Sequence, residues 1–165
     1  MLQLRTLFTH ILAFSVLVMS LSGCLSPKPQ IFSTVDVLFN DTPLTLELAD
    51  TDPKRQYGLM YRDSLCKDCG MVFVYDQPRQ VSFWMKNTDI PLDIAYISEG
   101  GVVVQVETLT PNSLEGKKTE QAVKYVVEMN QGWFEAHQIT VGSRFSVVPD
   151  SERKKEKTGV ASPEK

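Results

Sequence analysis

"LDIAYISEGGVVVQVETL", Leu92 to Leu109, is the stretch whose reading decides the fold. Two apolar runs, Leu92–Ile97 and Val102–Leu109, flank the residues Ser98–Gly101. The glycines of the connection allow the positive φ of a tight turn, so the stretch reads as a β-hairpin. Immediately upstream lies "FWMKNTDIP", Phe83–Pro91. Here a strand-like pattern is broken by Lys86, Asn87 and Thr88, and Pro91 limits ladder pairing.

The same punctuation recurs outward from that hairpin. Thr34–Phe39 and Leu44–Leu48 alternate around the turn signal "NDTP", which predicts a second hairpin. Asp52 as N-cap and Pro53 at the first helical position predict a short helix to about Tyr61, with Tyr57 and Met60 or Tyr61 on its inner face. Met71–Tyr75 is a continuous apolar run and reads as a buried strand. "DQPR" after it reads as a turn, Val81–Met85 as a strand and residues 110–119 as a polar loop. Val123–Met129 is ambiguous between strand and helix, "NQGWFEAHQI" holds a helical turn at most, and Arg144–Val148 is a closing strand. Consecutive strands lie too close for helical crossovers, so the expectation is a mainly β fold. It would be a single compact antiparallel β-sandwich or barrel-like domain with one or two short helices.

The flanks of the 165-residue chain read differently. Residues 1–23 have the form of a signal peptide: Arg5 supplies the positive start and Ile11–Leu21 the apolar segment. That segment is short for a membrane span, which needs about 20 residues. "LSGC", Leu21–Cys24, resembles the processing box of bacterial lipoproteins, which implies cleavage before Cys24 and lipidation (palmitate) of that cysteine. Residues 24–33 would be a lipidated tether, residues 34–149 the folded domain, and residues 150–165 a charged, disordered tail. Leu25 in place of an Asp favours the outer membrane, with the domain facing the periplasm. Loss of residues 1–23 removes Arg5 and no acidic residue, leaving 16 basic against 20 acidic residues and a charge of −4. Mild acidity argues against nucleic acid as a partner, and a monomer is expected.

No GxSxG, HExxH, Walker loop or GxGxxG is present. His137 lacks the flanking signature of a triad. Cys66 and Cys69 form a single CxxC, an even pair in an oxidising compartment, and a local disulfide is the favoured reading. Zinc would need ligands the chain does not offer, and no helix follows the pair to depress a thiol pKa. Met60, Met71 and Met85 recur beside aromatics. Thioethers bind Cu(I), but methionine is also an adaptable core filler, and no metal or other cofactor is expected. Asp93 and Glu128 stand in otherwise apolar segments, and a buried carboxylate must be paired or neutral. Arg62 and Lys86 are the natural partners, Arg62 foremost for Asp93, because arginine meets a carboxylate with two parallel hydrogen bonds. These residues read either as a structural ion-pair network or as a polar ligand site with Trp84 as a stacking wall.

"GLMYR" (Gly58–Arg62), "GMVFVY" (Gly70–Tyr75), "FWMKNTDIPLDIAYI" (Phe83–Ile97) and "VEMNQGW" (Val127–Trp133) occur in one order at close spacing. Together they resemble the domain of unknown function 192 family, a small domain of bacteria and archaea often carried on exported proteins. The resemblance covers about residues 34–148 and implies a compact, mainly β domain of sandwich-like or barrel-like form. It brings no known activity, and the CxxC departs from the family pattern. The expectation is a membrane-tethered envelope lipoprotein with a non-catalytic accessory or small-ligand-binding domain. Its ligand-binding candidates are Arg62, Trp84, Lys86, Asn87, Asp93 and Glu128, toward a small polar ligand or a component of the cell envelope. The alternatives are a hydrolase-like envelope enzyme, acting on glycan or peptide with Asp93 or Glu128 as base and Arg62 or Lys86 as clamp, and periplasmic Cu(I) handling.

Overall fold

A computed structural model describes residues 30–149. The signal, the lipidation site at Cys24 and the charged tail expected from the sequence lie outside those residues. Nine strands and two short helices follow in order: β1 (Ser33–Phe39), β2 (Thr42–Ala49), α1 (Asp52–Tyr57), β3 (Gly70–Arg79), β4 (Ser82–Phe83), β5 (Leu92–Ile97), β6 (Val103–Leu109), β7 (Lys117–Lys118), β8 (Val123–Asn130), α2 (Trp133–Ala136) and β9 (Phe145–Val147). Seven strands form one sheet in the order β6-β5-β8-β3-β2-β1-β9, and β4 pairs with β7 apart from it.

Both expected hairpins form. β1 and β2 pair in register from Ser33–Leu48 to Phe39–Thr42, and β5 pairs with β6 from Leu92–Leu109. The ambiguous segment Val123–Met129 is a strand, because it lies between β3 and β5 and pairs with both. Central position also explains the apolar runs. Val72, Ala95, Val127 and Met129 face one core with Phe39, Trp133, Phe134 and Phe145. Met71, Phe73, Ile94, Tyr96 and Val126 face a second core with Leu59, Met85 and Leu109. A strand buried on both faces has no polar side to alternate.

Three expectations are corrected. The sheet is mixed, not purely antiparallel: β2 and β3 run parallel, Glu47 beside Met71 and Ala49 beside Phe73. Residues 50–69, with α1 inside them, are long enough to be the crossover that a parallel pair requires. Of the two forms expected, sandwich or barrel-like, the sandwich drops out: one strongly curled sheet forms a half-barrel. Its two edge strands approach at one end, where Val102 bridges to Arg144 and Phe145 N–H donates to Gly101 O at 2.8 Å. Finally, "DQPR" is not a turn. β3 runs through it to Arg79, with a register irregularity between Val74 and Arg79 that accommodates Pro78. The expected strand Val81–Met85 shrinks to Ser82–Phe83.

Candidate functional site

The second core is covered by α1, the loop after it and the loop "WMKNT", Trp84–Thr88, and a cleft opens between these covers. α1 starts with Pro53 in its first turn, and Asp52 pairs with Arg55 at 2.6 Å. The N-terminal cap position is Thr51, not Asp52, and the helix ends at Tyr57, earlier than the sequence implies. Gly58, at φ 50°, ends it and donates its N–H to Lys54 O at 2.9 Å. The reversal sends Leu59 into the core and leaves Met60 and Tyr61 at the cleft.

The two covering loops clamp one another. Tyr61 N–H donates to Asn87 O at 2.8 Å, and Asn87 Nδ2 donates to Tyr61 Oη at 2.8 Å. Both residues adopt positive φ, 63° for Tyr61 and 54° for Asn87. Asparagine tolerates that region, but a bulky tyrosine there is strained by roughly 1–3 kcal/mol and is held only by its surroundings. Thr88, buried beside them, turns the chain by donating Oγ1 to Lys86 O at 3.2 Å.

The outer cleft measures about 840 Å³ and is walled by Tyr57, Tyr61, Tyr75, Phe83 and Trp84. Its cations lie against those rings. Lys86 Nζ sits 5.5 Å from the Trp84 ring centroid, and Arg55 and Arg79 lie 5.0 and 5.9 Å from that of Tyr75. Trp84 is 53% exposed despite its size. Among the described residues Arg79 and Lys86 have no carboxylate within ion-pair distance, whereas Arg55 is committed to Asp52 and to Val74 O.

Below this mouth a chamber of about 40 Å³ continues inward between Gly58, Leu59, Phe73, Phe83, Met85 and Leu92, and Glu128 lines it. It has room for a water or one small terminal group. Glu128 is 5% exposed, and among the described residues its side chain has no hydrogen bond or ion pair. Its place follows from register. Ile94, Glu128, Met71 and Glu47 form a row across β5, β8, β3 and β2 on the face that carries the second core. Burial alone pushes its carboxyl up to about 8, so it is neutral at pH 7. Burial likewise raises the phenols of Tyr75 and Tyr96, and Tyr96 Oη donates to Lys117 O at 2.8 Å.

The six candidate residues therefore separate. Trp84, Lys86, Asn87 and Glu128 line one continuous cleft. Arg62 does not: it holds Glu47 with two bonds of 2.5 and 2.6 Å, and not Asp93 as the sequence implied. Asp93 lies on the opposite face of the sheet from Glu128, since it pairs with Met129, one residue on. There it accepts from Thr108 Oγ1 at 2.8 Å and from Gly132 N–H at 2.7 Å, so it needs no cation. The two carboxyl groups are not a catalytic pair. Met60 and Met85 both line the inner chamber, but Met71 packs in the second core and lines neither part of the cleft, so the three thioethers do not converge on one open site. Sequence reading passed over Arg55 and Arg79. The i,i+3 spacing of Asp52 and Arg55 was a visible sign for the first, but nothing marked Arg79 within a supposed turn.

Cys66 and Cys69 are joined as a disulfide with Cα atoms 5.0 Å apart, and neither lines the cleft. Asn130 Nδ2 donates to Cys66 O at 2.8 Å and Trp133 Nε1 to Asp68 Oδ1 at 3.0 Å, which pins that loop to the end of β8 and to α2. His137 stacks on Trp133, its ring 4.0 Å away. Among the described residues no group of three or more His, Cys, Asp or Glu could hold a metal ion.

Comparison with solved structures finds the same architecture elsewhere. A crystal structure from Sinorhizobium meliloti 1021, of a protein provisionally named as a transcription regulator, is 32% identical with a TM-score of 0.69, the match covering 73% of this chain and 98% of that one. A protein of unknown function from Novosphingobium aromaticivorans DSM 12444 is 26% identical with a TM-score of 0.64, over 77% of this chain and 94% of that one. No curated protein matches significantly. The family profile DUF192 (Uncharacterized ACR, COG1430) matches residues 35–147, the whole curled sheet with both its covers, and the chain belongs to that family.

Proposed function

We propose that this is a lipid-anchored cell-envelope domain whose cleft binds a small ligand with a flat or ring-shaped body and an anionic group. The observation that carries the reading is the cleft mouth itself. Exposed Trp84 and Tyr61 offer faces for stacking, and Arg79 and Lys86 offer positive charge that no carboxylate of the described chain uses. Concave apolar walls with a few convergent polar groups are the usual form of a ligand site. Three cations against the single outward carboxylate Asp52 attract an anion. They are too few to track the phosphates of a duplex, so the regulator name of the Sinorhizobium protein is not carried over.

The test uses 4-methylbenzoate, a ring bearing one carboxylate, in titration calorimetry and thermal shift. Binding is expected, and at a hundred times Kd it should add about 2.7 kcal/mol of stability. Trp84→Ala and Lys86→Ala should each weaken it severalfold. Absence of binding, or binding indifferent to both substitutions, would remove the reading. An enzymatic reading keeps one point in its favour, since a carboxyl neutral at pH 7 has the protonation state of a general acid.

A further inference from the structure

We infer that Glu128 is the inner recognition group of this cleft and that the ligand reaches it with a primary amine. The inference rests on the binding reading above and adds which chemical group goes in first.

Glu128 is a polar side chain buried beyond nine-tenths, and it lines the narrow chamber that continues the cleft inward. A buried carboxyl without a hydrogen bond is costly to keep, so its persistence calls for an occupant. Among the described residues none is supplied. The ionisable groups around it are Arg55 and Tyr57 of α1, Tyr75 of β3 and Tyr96 of β5. Arg55 is spent on Asp52 and Val74 O, and the Tyr96 hydroxyl on Lys117 O. The carboxyl consequently stays protonated at neutral pH.

An incoming ammonium changes that balance. It supplies the cation the site lacks, Glu128 releases its proton to solvent, and a carboxylate–ammonium pair forms with the amine's three donors available to the oxygens. A hydroxyl would gain only neutral hydrogen bonds. The mouth narrows the class further. Its cations repel a simple amine, so the ligand must also carry the anionic group that Arg79 and Lys86 take. The class is a small zwitterion with its amine at one end, its anion at the other and a flat body between. The chamber admits only a small terminal group, which an aminomethyl end satisfies.

The experiment titrates the full chain with 4-(aminomethyl)benzoate, 4-(hydroxymethyl)benzoate and 4-methylbenzoate, which differ only at the inner end. The amine should bind at least about tenfold tighter than the other two. Calorimetry near pH 6.5 in buffers of different ionisation enthalpy should show about one proton released per amine bound, and none for the others. Glu128→Gln should abolish both the preference and the proton release. The proton count is read on the unaltered protein, so it decides the matter even if the variant folds poorly. Equal binding of all three compounds would overturn the amine assignment while leaving the cleft reading intact. Proton-neutral binding of the amine, or a preference that survives Glu128→Gln, would overturn it as well. Failure of all three to bind would overturn both.

Discussion

Glu128 and Glu47 stand in the same row of the sheet, separated by Met71, yet only Glu47 meets a cation. The difference has a measurable sign. The Glu128 carboxyl moves from 4.5 to about 8 on folding. Between those values the folded state holds a proton that the unfolded state has lost. The contribution of this one group to stability is therefore fully present below about pH 4.5 and falls by about 1.4 kcal/mol per pH unit until about pH 8. Glu128→Gln, which cannot ionise, should flatten that part of the profile and leave the variant more stable than the parent at pH 8. Urea unfolding across pH checks this, and identical slopes for the two proteins would refute it. Arg62 makes the complementary case. A double-mutant cycle on Arg62 and Glu47 should give coupling on the order of 1 kcal/mol, because the pair is bidentate but about a quarter exposed. The same cycle on Arg62 and Asp93 should give coupling near zero.

At the scale of elements, the β3–β8 pair brings Glu128 to the cleft floor, and Gly70 allows it. A Cβ on Gly70 would collide with the Glu128 carbonyl oxygen and the Met129 sulfur. Backbone cannot yield as a side-chain tip does, so Gly70→Ala should cost about 1–3 kcal/mol and lower the melting temperature accordingly. Thermal unfolding followed by circular dichroism measures it, and an unchanged midpoint would show that the strands part more easily than their register implies. The β2–α1–β3 crossover has an equally direct consequence. Because β2 and β3 are parallel, the connection must pass over one face of the sheet, and it places Arg55, Tyr57 and Tyr61 over the second core. An antiparallel hairpin at that point would have left the second core without its lid and the protein without this cleft.

For the whole molecule, the proposed anchor and the cleft belong to separate parts of the chain. Cys24 precedes the described domain, so Cys24→Ser should abolish membrane fractionation while leaving the binding of 4-methylbenzoate unchanged. Equal detergent partitioning of variant and parent would sink the anchor without touching the site. The seven-stranded sheet supplies both cores at once, one on each face. One face is filled by α2 and the curl of the sheet, and the other by the elements that form the cleft. Substitutions at the mouth, such as those of Trp84 and Lys86, lie on the cover and should alter binding more than folding.

What the sequence determined by itself was local. Alternation and turn residues located the β1–β2 and β5–β6 hairpins, and glycine with asparagine marked the turns. The polar–aromatic stretch Trp84–Thr88 announced a loop with more to do than connect. Parity along β8 and β5 was also present in the sequence. It could not be used until strand neighbours were known, and so Asp93 and Glu128 looked alike. Tertiary structure alone decided that they lie on opposite faces, that Arg62 answers Glu47, and that the β2–β3 pair is parallel. The physical reason is range. Turn and strand preferences act between residues near in sequence, whereas the partner of a buried charge is chosen by which distant strands become neighbours. Glu128 has no partner among the described residues because that choice set apolar Met71 and Ile94 beside it and opened a narrow chamber where a cation could have stood.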